Sequence, residues 1–148
     1  MTRFVHDQFA KDLLDDLLAP WGEVKPSHKV GAEVREIDVW FSPRSQTELP
    51  LSTLGLLGRF ATQPASFEPF RNPADENEIC DCLLKLLVLR GQMLRQSRRD
   101  KVPQDLSSLP KLWILTPSAS EALLDRFSAR LSVEHWPLGV YFLGEALR

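Results

Sequence analysis

Residues 35–41 read REIDVWF, and this stretch decides the fold. Ile37, Val39 and Phe41 alternate with Glu36, Asp38 and Trp40, the period-two pattern of a strand with one apolar face. Asp38 is the residue out of place. A carboxylate on a covered face costs free energy unless a cation or hydrogen-bond donors satisfy it. Conflicts between a residue and its local pattern are where functional groups are expected. The plainer reading is that Glu36 and Asp38 face water, as on many one-sided strands.

On the N-terminal side, residues 7–18 have the spacing of an amphipathic helix. Phe9, Leu13 and Leu17 form one stripe, with Ala10, Leu14 and Leu18 beside it. Asp12, Asp15 and Asp16 take the solvated side, and Pro20 and Gly22 end the helix. Residues 27–30 make a short strand after Pro26, and Gly31 a bend.

Toward the C-terminus, residues 42–50 are a polar loop and 51–60 a short helix or compact turn. Residues 65–70 form a strand whose ladder Pro69 limits. Asp75 is the expected N-cap of the longest helix, from Glu76 to about Arg95. A proline-containing loop at 102–110 leads to an apolar strand at 112–115. Ser118 or Ser120 opens a helix through Phe127, and residues 139–143 are the last strand. The expected order is α-β-β-β-α-β-α-β. That describes a mixed α/β (α+β) domain over residues 1–148, with a mixed central sheet flanked by helices and βαβ geometry in its second half. The chain stops just after a predicted strand, as expected of the N-terminal part of a longer protein.

Composition narrows the function classes. The net charge of −2 argues against a nonspecific nucleic-acid coat, which would be basic, but not against a local basic cleft. The two cysteines, Cys80 and Cys82, are too few for a zinc site and read as buried apolar groups. His6, His28 and His135 lack ligand spacing, and Gly55 and Gly58 lack a P-loop pattern. The N-terminus has no signal-peptide core, and residues 83–89 are too short to span a bilayer. A reduced, cytoplasmic protein with no membrane partner is expected. The four tryptophans read as core or core-edge groups, and Arg95, Arg98, Arg99 and Lys101 as complements of a helix C-terminus.

Glu68, between Phe67 and Phe70, is the second candidate carboxylate. As an edge-strand Glu–Arg pair with Arg71 it would contribute little. If it converges with Asp38 from an adjacent strand, the two would hold Mg²⁺ or Mn²⁺ through oxygen ligands and waters. Such an ion activates water and stabilises charge on a phosphodiester, with Arg71 or Lys85 as the cation beside it.

The Asp in REIDVWF and the Glu in FEPFR, in this order of elements, resemble the PD-(D/E)XK nuclease superfamily. The runs HDQFAKDLL, EVREIDVWFSP and FEPFRNP also resemble a family of uncharacterised cyanobacterial proteins. The superfamily resemblance implies a restriction-endonuclease-like core. It makes Asp38 and Glu68 the metal carboxylates and nucleic acid the partner. Phe70 stands where the pattern has lysine. Arg71 would substitute if Pro69 bulged the strand, or Lys85 if the lysine has migrated to the following helix. Glu33 and Glu36 are spare carboxylates. The competing expectation is an inactive module on the same fold, serving protein–protein interaction or a homodimer.

Overall fold

The computed structural model describes residues 8–24 apart from 10, 14, 18 and 22, then 35–43, 50–105 and 108–147. The predicted strand at 27–30, the bend at Gly31, Glu33, His6, His28 and most of the 42–50 loop lie outside the described residues, as do Ala10, Leu14 and Leu18. The chain divides into two compact units, Met1–Val34 and Arg35–Arg148.

In the first unit, residues 8–9, 11–13 and 15–17 are α-helical. Gln8 donates to the Asp12 carboxylate one turn on, at 2.8 Å. The helical run gives way to a 3₁₀ turn, Ala19–Trp21, around Pro20. The stripe of Phe9, Leu13 and Leu17 is exposed.

The second unit is built on a three-stranded sheet in the order β1-β2-β3. These are Val39–Phe41, Ala65–Pro69 and Lys111–Leu115. β1 runs antiparallel to β2, and β3 parallel to it. A 3₁₀ turn, Leu51–Leu54, and a short helix α1, Leu56–Phe60, connect β1 to β2. The backbone here is close-set, because a Cβ on Gly58 would lie 1.9 Å from the Leu51 carbonyl oxygen.

The long helix α2, Glu76–Asp100, carries the chain from β2 to β3 and makes the expected βαβ unit. Its start is a capping box: Asp75 accepts from the Glu78 amide at 2.8 Å, and Glu78 accepts from the Asp75 amide at 2.8 Å. It runs past the predicted end at Arg95, and Lys101 closes it in the left-handed conformation at φ 54°. Arg90 of α2 fixes the following segments by donating to the Pro110 carbonyl at 3.3 Å and the Ala146 carbonyl at 3.0 Å.

Two strand expectations are corrected. The strand expected over 35–41 is regular only over Val39–Phe41, and Asp38 lies at a bend just before it. The cause is in β2. The Pro64 carbonyl and the Phe70 amide both bond to β3, so odd-numbered residues of β2 point their backbone groups at β1. The next hydrogen-bonded pair beyond Val39↔Phe67 would need an N–H from Pro69, which has none. The second correction concerns the expected strand at 139–143. Only Tyr141–Phe142 is strand (β5), and it pairs with Arg130–Leu131 (β4) in a separate antiparallel ribbon. Helix α3, Glu121–Arg126, capped by Ser120, precedes that ribbon.

The faces of β2 divide the interior. Ala65 and Phe67 join Phe60 and Val140 in the apolar core, with Phe41, Trp113, Trp136 and Phe142 packed against it. Phe60 stacks on Trp113 with ring centroids 4.0 Å apart, and Arg59 lies 4.0 Å over the Trp136 ring. Trp113 and Trp136 are therefore core-edge residues as expected, whereas Trp40 is exposed. Ser66 and Glu68 alternate onto the opposite face of β2, where α2 covers them. Among the described residues, no helix is long and apolar enough to cross a membrane.

Candidate functional site

Asp38 stands at the bend just before β1, and Glu68 lies within β2. Val39 and Phe67 are the last paired residues of β1 and β2 on this side, and Asp38 and Glu68 are the next residues beyond that pair. Their environments differ. Glu68 is 2% exposed, while Asp38 is exposed at the sheet margin.

Lys85 completes the group. Its Nζ donates to Glu68 Oε2 at 2.8 Å and to the Glu36 carbonyl at 2.9 Å. It reaches both from the first half of α2, so one ammonium joins the helix, β2 and the segment leading into β1. Burial alone pulls the Lys85 pKa down. The hydrogen bond and charge of Glu68 outweigh it, with Cys82 and Asp38 adding, so the pKa lies above its ordinary value. Lys85 is therefore a fixed cation near neutral pH and cannot accept a proton there.

Cys82 lies beside the pair. Burial first, then the Glu68 charge, pushes its thiol pKa up to about 12. A thiol held protonated in this way is neither a nucleophile nor a metal ligand at neutral pH. Asp81, at the i−4 position to Lys85, forms an ion pair with Arg35 at 2.5 Å and fixes the residues leading into Asp38. Sequence reasoning missed this pair. Arg35 and Asp81 are 46 residues apart, so no local spacing signals it.

Arg71 is not brought round by a bulge in β2. The β2–β3 register runs unbroken through Pro69↔Leu115, so Pro69 makes no bulge to bring Arg71 round. Arg71 is exposed and forms no ion pair with a described residue, and Phe70 is tied to β3 through its amide and the Leu115 carbonyl at 2.8 Å. Glu36 contributes its backbone carbonyl rather than its carboxylate.

The oxygen donors are few. Glu68 Oε2 is held by Lys85, and Oε1 has no hydrogen-bond partner among the described residues. Among the described residues, no three or more His, Cys, Asp or Glu side chains are grouped to hold a metal ion. The Glu36 carbonyl and Glu68 Oε2 both accept from the same Lys85 ammonium. A separate cavity of about 1080 Å³ is lined by Phe60, Phe70, Trp113, Trp136 and Phe142, and by none of Asp38, Glu68 and Lys85. No protein-family model, curated protein or solved structure matches the chain.

Proposed function

We propose that the chain is a divergent, PD-(D/E)XK-like, divalent-metal-dependent phosphodiesterase of nuclease type. Asp38 and Glu68 are its metal carboxylates, Lys85 its cation, and nucleic acid its substrate. The observation that carries this reading is the Lys85–Glu68 hydrogen bond at 2.8 Å, with the charge of Asp38 acting on the same ammonium. The cation missing at Phe70 is thereby supplied from α2.

A bound Mg²⁺ or Mn²⁺ would supply charge stabilisation and an acidified water. The protein groups have separate tasks. Asp38 offers an accessible carboxylate, and Glu68 a buried one with a free oxygen. Lys85 holds Glu68 in place and presents positive charge toward the phosphoryl oxygens as negative charge grows on them. Being protonated, Lys85 is not the base, so the proton from the attacking water leaves to solvent or to Asp38.

The second reading is an inactive module on the same scaffold. It is favoured by the burial of Glu68 and the occupation of Oε2 by Lys85, which together make a structural ion pair sufficient by itself.

Cleavage of DNA and RNA substrates with Mn²⁺ separates the two. The active reading expects cleavage that EDTA stops and that Asp38→Asn and Glu68→Gln each abolish in folded protein. No cleavage by the intact chain, or cleavage unchanged in Asp38→Asn, favours the inactive module.

A further inference from the structure

One side of α2 runs from the candidate site to an exposed basic end. Asp81, Lys85, Val88, Gln92, Arg95 and Arg99 recur at spacings of four and three, which keeps them on one side of the helix. The first two belong to the site. Lys85 holds Glu68, and Asp81 is paired with Arg35 in the segment leading into Asp38. Beyond Lys85 the described fold leaves this side uncovered, because Val88, Gln92, Arg95 and Arg99 are all exposed. Core residues Ile79, Cys82 and Leu86 lie round the helix from this row.

The cations at the far end have no partner among the described residues. Arg95, Arg98, Arg99 and Lys101 are exposed and form neither an ion pair nor a side-chain hydrogen bond there. Asp100, the carboxylate that stands among them, accepts instead from the Gln96 amide, at 3.1 Å on each oxygen. This local excess of positive charge occurs in a chain whose net charge is −2. Helix polarity favours cations in the last turn, which accounts for Arg98 and Arg99. It does not account for Arg95, which stands more than a turn before the helix ends.

We propose that this side of α2 is the track on which a nucleic-acid strand lies, with Arg95 and Arg99 holding backbone phosphates away from the scissile one. The proposal rests on the nuclease-type reading, which puts a phosphodiester at Asp38, Glu68 and Lys85. A helix rises about 1.5 Å per residue, which sets Arg95 about 15 Å and Arg99 about 21 Å past Lys85. Phosphates of a duplex strand advance about 3.4 Å each along the axis, so the two arginines meet phosphates about four to six nucleotides from the scissile one. The guanidinium fork suits the task, because it donates two parallel N–H groups to phosphate oxygens. Such contacts position the strand and carry no sequence information. Arg98 lies off the row, and Lys101 follows the last helical residue.

Fluorescence anisotropy with short labelled DNA and RNA oligonucleotides, in EDTA so that no cleavage intervenes, tests the track. The intact chain is compared with Arg95→Gln/Arg99→Gln and with Arg98→Gln/Lys101→Gln, which removes the same charge from the same end. The intact chain should bind, and Arg95→Gln/Arg99→Gln should weaken binding about tenfold or more and flatten the slope of log affinity against log salt by about two. Arg98→Gln/Lys101→Gln should stay within about threefold of the intact chain. All four side chains are exposed, so circular dichroism should show both variants folded. No binding by the intact chain, binding to anionic lipid vesicles in place of oligonucleotides, or equal weakening in the two variants overturns the proposal. Equal weakening would mean that net charge alone attracts the strand. Failure of the nuclease-type reading looks different: Arg95 and Arg99 still govern binding, but Mn²⁺ brings no cleavage. That result retains the track and removes the active site. Cleavage as efficient in Arg95→Gln/Arg99→Gln as in the intact chain, with binding unchanged, does the reverse.

Discussion

Lys85 Nζ lies 2.8 Å from Glu68 Oε2, and the two side chains are 11% and 2% exposed. An ion pair this shielded is sensitive to the loss of either partner. Removing Lys85 leaves a buried carboxylate with no cation, at a cost of roughly 3–5 kcal/mol. Lys85→Met should therefore lower stability by about that amount in urea unfolding. The double variant Lys85→Met/Glu68→Leu should recover most of the loss, because two apolar groups of similar volume need no pairing. A double variant as unstable as Lys85→Met would mean that the pair is not the reason for the loss.

The same contact sets an alkaline limit. The folded-state pKa of Lys85 lies above its ordinary value of 10.5. Its contribution to stability is therefore complete below that ordinary value and is lost as pH rises through the raised folded value. Unfolding measured up a pH series should show a loss in this alkaline range that Lys85→Met/Glu68→Leu lacks. An equal loss in both proteins would assign it to other groups.

Gly58 tests the packing between the 3₁₀ turn Leu51–Leu54 and α1. Because a Cβ there would collide with the Leu51 backbone, Gly58→Ala should cost about 1–3 kcal/mol, as overpacking does. Thermal unfolding of Gly58→Ala beside Gly91→Ala makes the comparison. Among the described residues, alanine at 91 would meet only the flexible end of Arg95, and it favours the helix. Similar melting temperatures for the two variants would contradict the close approach at 58.

The cap of α2 is a further separable element. Asp75→Ala removes the acceptor for the Glu78 amide and should cost about 1 kcal/mol. Its effect on the melting temperature should be smaller than that of Lys85→Met, since the cap lies at the surface.

Much of this fold was legible in sequence, for reasons that differ by element. The apolar run at 112–115 and the capped, leucine-rich helix from Glu76 identified β3 and α2, because burial and hydrogen bonding there follow the local pattern. The strand at 65–70 was legible for the same reason. The length of β1 was not. It depends on a backbone donor that Pro69, on a different strand, lacks. The two residues of β5 read as part of the main sheet, because the sequence from 139 to 143 is apolar enough for either pairing.

The site was legible in part. Asp38 stood out against its strand pattern, and Glu68 lay within an apolar one. How near they come depends on strand pairing, which ends at Val39 and Phe67, one residue short of both. The contact of Lys85 with Glu68 crosses from helix to strand, and no local spacing encodes it. The bulge at Pro69 expected to bring Arg71 round is absent, because the β2–β3 register runs unbroken through Pro69.

The most direct measurement of the central claim is a calorimetric titration of Mn²⁺ into the intact chain, Asp38→Asn and Glu68→Gln, with folding checked in each. Binding to the intact chain that either substitution abolishes is the predicted result. No binding to the intact chain, or binding unchanged in both variants, would contradict the metal site and leave Glu68 and Lys85 as a structural pair.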